Sequence, residues 1–225
     1  MTRRRLITLT LALALAGARV SVAQTQPGAA AADPWATEIA RFAAADVASP
    51  FAPGGVVFVG SSSIRLWDLA AAFPNHRVLN RGFGGTQVID SVRHVDRLVI
   101  GHKPAIVVFY AGDNDLSAGR TPQQVAADFK AFCARVHAAL PETRIAFIGI
   151  KPSIARWALI GKVREANNLV RADCDRDDRL GFVDVDAAML GWDGKPRPEL
   201  FVKDGLHMSA KGYDIWSALV RPFLD

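Results

Sequence analysis

The chain has 225 residues, with 27 Lys and Arg against 22 Asp and Glu, a formal net charge of +5. Four of those arginines (Arg3, Arg4, Arg5 and Arg19) and no acids fall in residues 1–23, so without that segment the charge is +1. This near balance gives no basis for nucleic-acid binding or an electrostatic hold on anionic membrane, and about 200 residues suffice for one domain with a sizeable core.

In chain order, Arg3–Arg5 precede an apolar run from Leu6 to Ala18, and Ser21-Val22-Ala23 forms a small-x-small cleavage signal. These are the three parts of a secretory signal peptide, and the apolar run is short for a bilayer span. Cleavage after Ala23, a secreted or periplasmic protein and no stable membrane insertion after cleavage are the expectations; an uncleaved anchor is the rival reading. Residues 24–34, rich in Gln, Ala and Pro, read as a linker, leaving residues 35–225 as the domain. Trp35, Ile39 and Phe42 then recur at helical spacing, and Pro50, Pro53, Gly54 and Gly55 end that helix.

Five short apolar runs follow: Val56–Val59, Val78–Leu79, Ala105–Tyr110, Ile145–Ile150 and Phe182–Val185. Segments of helical period lie over Val88–Ile100, Pro122–Leu140 and Arg156–Leu180. Strand alternating with helix predicts an α/β domain with a parallel five-stranded sheet, helices on both faces, and a site outside the carboxyl ends of the strands. Cys133 and Cys174 lie on helices flanking the fourth strand and are expected to form a disulfide, with two buried thiols as the alternative.

Chemistry-bearing residues sit after these runs. Gly60-Ser61-Ser62-Ser63 follows the first, and a serine there either caps the next helix or is presented as a nucleophile at its positive end. Asn80-Arg81-Gly82-Phe83-Gly84-Gly85-Thr86 follows the second; it is a plain turn or the source of an oxyanion-binding backbone N–H, and lacks the pattern of a nucleotide loop. Gly112-Asp113-Asn114-Asp115 follows the third, with a turn as the plain reading and an exposed amide as the functional one. Lys151-Pro152-Ser153 follows the fourth. Asp204-Gly205-Leu206-His207 follows the fifth, and its spacing lets the carboxylate accept from Nδ1–H and leaves Nε2 as a base. His76, His94, His102 and His137 read as packed histidines. The paired aspartates Asp113/Asp115 and Asp184/Asp186 read as caps or ion-pair partners, so neither metal nor cofactor is assigned.

In order and spacing, the segments Phe58–Ser63, Asn80–Gly85, Gly112–Asp115 and Asp204–His207 resemble the four blocks of the SGNH (GDSL-type) hydrolases. The resemblance implies a flavodoxin-like three-layer α/β/α sandwich and a cofactor-free esterase. By position, Ser62 would be the nucleophile, His207 the base and Asp204 its orienter. Backbone N–H groups of Ser62 and Gly85 and the side-chain amide of Asn114 would form the oxyanion hole. One departure stands out: the usual acid after the first glycine is Ser61 here. The substrate expected is a small-molecule, carbohydrate or lipid ester, with short acyl or acetyl groups favoured; a lysophospholipase or thioesterase, or a noncatalytic sugar- or phosphate-binding domain, is the alternative. The sequence leaves oligomeric state open.

Overall fold

The structure is a computed structural model that describes residues 33–224. The leader and most of the linker expected from the sequence lie outside the described residues. The sheet has strands β1 (Val56–Gly60), β2 (Val78–Gly82), β3 (Ile106–Tyr110), β4 (Arg144–Ile148) and β5 (Leu180–Val183). All neighbours pair in parallel, in the order β2-β1-β3-β4-β5. Chain order therefore reverses at β1, and the carboxyl ends of all five strands lie along one edge.

The apolar runs are continuous and not alternating because both faces of the sheet are covered. Val57, Val59, Val107, Phe109, Ile145 and Phe147 point into one core. That core is closed by α1 (Ala36–Ala48), α4 (Val88–Arg93), α5 (Val95–Leu98), α7 (Pro122–Ala139) and α8 (Ile160–Cys174). The alternate residues Val56, Phe58, Val108, Tyr110 and Ile148 point into a second core. It is closed by α2 (Ser62–Arg65), α3 (Leu69–Ala72) and α9 (Ala210–Val220), and Trp216 is fully buried within it. The predicted three-layer α/β/α sandwich is the observed fold.

Several predicted boundaries move. The helix expected over Val88–Ile100 breaks at His94 into α4 and α5, followed by a 3-10 turn at Ile100–His102. The helix expected over Arg156–Leu180 is a 3-10 turn at Trp157–Leu159 followed by α8, and Leu180 begins β5. Leu180 leaves the helical period because its N–H bonds to the Asp177 carbonyl at 2.8 Å, in a tight turn also held by Asp177 Oδ1 accepting from Arg179 N–H. The fourth strand stops at Ile148, two residues short of its apolar run. The Asn167 side chain of α8 takes both backbone groups of Ile150, donating to its carbonyl at 2.9 Å and accepting from its N–H at 2.8 Å. A side-chain amide thus replaces the next ladder rung, and the chain turns off the sheet edge to deliver Lys151.

The disulfide expectation is corrected: Cys133 and Cys174 are buried free thiols. They lie on α7 and α8, which pack on the same face as expected, but Cys174 Sγ is turned to the Gly181 carbonyl at 3.6 Å. Burial pushes both thiols up, Cys174 to about 12, which suppresses the thiolate that oxidation requires.

Candidate active site

The first strand ends on a residue that only glycine can supply. Gly60 has φ +137°, and a Cβ there would lie 1.8 Å from the Tyr110 carbonyl oxygen of β3. This close approach turns the chain directly into α2, whose first residue is Ser62. The far side of α2 is fixed by the second block. A Cβ at Gly82 would meet Arg65 N at 2.2 Å, so β2 and α2 pack backbone to backbone. Asn80 Nδ2 donates to the carbonyl of Ile64 at 2.8 Å, and Asn80 Oδ1 accepts from Gly82 N–H at 2.9 Å. From the other side Tyr213 Oη–H of α9 donates to the Ser63 carbonyl at 2.9 Å. The short helix is clamped on both sides, and Ser62 is half-buried at its start.

Ser62 meets the histidine 145 residues away. His207 Nε2 lies 2.9 Å from Ser62 Oγ, and His207 Nδ1 lies 2.6 Å from Asp204 Oδ2. Asp204 Oδ1 accepts from the N–H of Leu206 at 2.8 Å and of His207 at 2.9 Å, so the Asp-x-x-His loop is braced by its own acid. The bond from His207 and these two backbone donors lower the Asp204 carboxyl to about 2. With its proton on Nδ1 facing that carboxylate, the imidazole presents a bare Nε2 to the Ser62 hydroxyl. Such an arrangement can take a proton from Oγ as Oγ attacks an electrophile.

The other predicted residues converge in a second group. Asn114 is in α6 (Asp113–Ser117), and its Nδ2 donates to the Thr86 carbonyl at 2.9 Å, next to the exposed Gly85. The second and third blocks are thereby joined. Ser61, at the position of the usual family acid, caps α2 with its backbone alone. Its Oγ is buried and has no hydrogen-bond partner among the described residues, so the side-chain N-cap expected as the plain reading does not form. Of the histidines read as packed, His102 contacts the Arg97 carbonyl, His137 the Thr143 carbonyl, and His76 and His94 stand edge-on to Phe73 and Phe83.

Sequence reasoning gave no role to a buried cluster beside these groups. Lys151 Nζ donates to Ser63 Oγ at 3.1 Å, Tyr110 Oη at 2.9 Å and Asp113 Oδ2 at 3.2 Å. Arg156 places Nη1 3.1 Å from the same Asp113 oxygen, an ion pair by distance although its N–H is not aligned as a hydrogen bond, and donates from Nη2 to Asn114 Oδ1 at 2.8 Å. Burial would raise the Asp113 carboxyl, but Lys151 and Arg156 outweigh it and hold it below the usual range; burial lowers Lys151 against the pull of Asp113. The available signal was a lysine immediately after a wholly apolar strand, since a buried lysine requires partners. A cavity of about 320 Å³ lined by Phe129, Cys133, His137 and Leu180 lies at the opposite end of the strands and contains none of these groups.

Comparison with known proteins finds a matching family model, curated relatives and solved structures. The model of the GDSL-like Lipase/Acylhydrolase family matches residues 60–215. Platelet-activating factor acetylhydrolase IB subunit alpha1 of Bos taurus is 34% identical over 170 residues, covering 70% of this chain and 69% of that protein. The Homo sapiens protein is 33% identical over 170 residues, covering 70% of each. Among solved structures, a GDSL-like lipase from Bacteroides thetaiotaomicron superposes with a TM-score of 0.71 at 21% identity, over 83% of this chain and 96% of that one.

Proposed function

We propose, from the premise that this chain belongs to the GDSL-like lipase/acylhydrolase family, that it cleaves carboxylic esters through an acyl-enzyme on Ser62. The observation that carries the reading is the unbroken hydrogen-bonded path Ser62 Oγ, His207 Nε2, His207 Nδ1, Asp204 Oδ2. In this reading Ser62 Oγ attacks the ester carbonyl while His207 takes its proton. Backbone N–H groups of Ser62 and Gly85 and the Asn114 amide receive the oxyanion. The proton returns from His207 to the leaving alcohol, and water repeats the sequence to free the acid. Each step uses only groups of this chain, the ester and water.

Short acyl groups, acetyl first, are the favoured substrates. The support is the similarity over 70% of the chain to proteins named as acetylhydrolases. The test is a panel of p-nitrophenyl esters of increasing acyl length, read alongside fluorophosphonate labelling, with Ser62→Ala and Ser61→Ala as controls. Ser62→Ala is expected to abolish hydrolysis and labelling, and Ser61→Ala to retain both. Labelling that survives Ser62→Ala would refute the assignment, and an unlabelled native protein would favour a binding domain. The reading places the protein outside the cytoplasm with the leader removed; exported protein whose first residue is Gln24 is the expected result of N-terminal sequencing.

A further inference from the structure

We infer that Arg156, braced by the buried Asp113–Lys151 pair, is the positioning residue that fixes which face of the Asn114 amide meets the developing oxyanion. The inference rests on the esterase reading above and adds to it a determinant outside the four motif blocks.

A carboxamide is nearly symmetrical in shape, and packing alone does not distinguish its oxygen from its nitrogen. Here two partners of opposite character make the distinction. The Arg156 guanidinium can only donate, so Oδ1 must face it at 2.8 Å. The Thr86 carbonyl can only accept, so Nδ2 must face it at 2.9 Å. One N–H of Nδ2 is used there, and the second remains for the site. A flipped amide would put an oxygen where negative charge develops and would lose both anchoring bonds. Without Arg156, only the Thr86 carbonyl opposes that flip.

Arg156 needs a brace of its own, because it follows an exposed stretch at Ile154 and Ala155. Asp113 supplies it with the same Oδ2 that Lys151 holds. The three N–H bonds of the Lys151 ammonium are matched by three acceptors, Ser63 Oγ, Tyr110 Oη and Asp113 Oδ2, and its side chain is 1% exposed. The cluster therefore joins the residue after Ser62 to the residue before Asn114.

The experiment is a double-mutant cycle on the intact protein, with kcat and KM for p-nitrophenyl acetate, the rate of fluorophosphonate labelling and Tm measured for each variant. Arg156→Met should lower kcat by up to about 10²-fold, as expected for a misplaced catalytic group. KM should change little, because the amide is needed chiefly in the transition state. In an Asn114→Ala background the same substitution should cost almost nothing more, since the group it positions is gone. Arg156→Lys should remain slow: an ammonium keeps the charge but not the planar fork that reaches both Asp113 and Asn114. Losses that multiply in the double variant, a native kcat for Arg156→Lys, or a lowered Tm with unchanged kcat for Arg156→Met would each overturn the inference. Those results, with Ser62→Ala inert and Asn114→Ala slow, would leave the esterase reading standing. Activity surviving in Ser62→Ala would remove both.

Discussion

Asn114 and His207 carry residue-scale consequences that can be separated. If the Asn114 amide receives the oxyanion, Asn114→Ala should lower kcat by about 10²–10³ while KM changes little, because the charge it stabilises is absent from the bound ester. Were Asn114 only a turn residue at the start of α6, Tm would fall and kcat would hold; measuring both decides. Asp204 supplies the pH argument. Its folded carboxyl lies near 2, below the unfolded value of about 3.9, so its stabilising contribution is present above pH 4 and lost as pH falls through about 2. That contribution is small, because the side chain is 47% exposed and the pair is screened. Across the acid range above pH 3 the carboxylate stays charged, so loss of its ionisation does not account for a fall in kcat/KM there. Ester hydrolysis retained in His207→Ala would take the base role from His207. These residues were legible in the sequence because Asp-x-x-His is a local pattern. Arg156 was not, because its partners lie 42 and 43 residues away across the sheet edge.

At the scale of elements, the third block does more than present an amide. Asp115 of α6 is fully buried and receives the first N–H of α4, Val88 N, at 3.2 Å to each carboxylate oxygen, with Arg120 Nε at 3.6 Å. It ties α6 to the helix that follows the Gly85 turn. Burial raises this carboxyl to about 6 despite those donors. In the unfolded chain it would lose its proton near 3.9, so between about pH 4 and 6 the native state holds one proton more. Stability from this group is therefore greatest below pH 4 and declines as pH rises to 6, by on the order of 2–3 kcal/mol. Asp115→Asn keeps an acceptor for Val88 and cannot titrate. The difference in Tm, native minus variant, should fall between pH 4 and 6 and level off above 7; a constant difference would show that Asp115 is ionised throughout. The sequence marked Asp115 only as a cap or ion-pair partner, since burial depends on what packs over it. The early end of β4 has the same origin: its strand period continues in the sequence until a tertiary hydrogen bond, from Asn167 to Ile150, interrupts it.

For the whole molecule, the strand order β2-β1-β3-β4-β5 places the β1 end between those of β2 and β3. Ser62 thus has the second block on one side and the third on the other. The loop after β5 must still cross to reach Ser62, and it does so over the face covered by α2 and α9. The isolated bridge between Phe201 and Met208 pins the two ends of that crossing, and Leu200 and Met208 are buried in the second core. His207 is therefore carried by a packed loop.

What the sequence by itself determined is whatever depends on neighbours within a few residues. That includes five strands recognisable as continuous apolar runs, the helix at Pro122, the glycine-bounded turn carrying Ser62, and the Asp204–His207 pair. The order of these pieces was enough to place them on one sheet edge. Tertiary structure alone decided the rest: that His207 Nε2 reaches Ser62 Oγ, that Cys133 and Cys174 are buried free thiols, and that Lys151 and Arg156 share one buried oxygen of Asp113 behind Asn114. The physical reason is that periodicity and turn chemistry are local, whereas desolvation and hydrogen-bond partnership depend on which distant chain covers a group once both cores have closed.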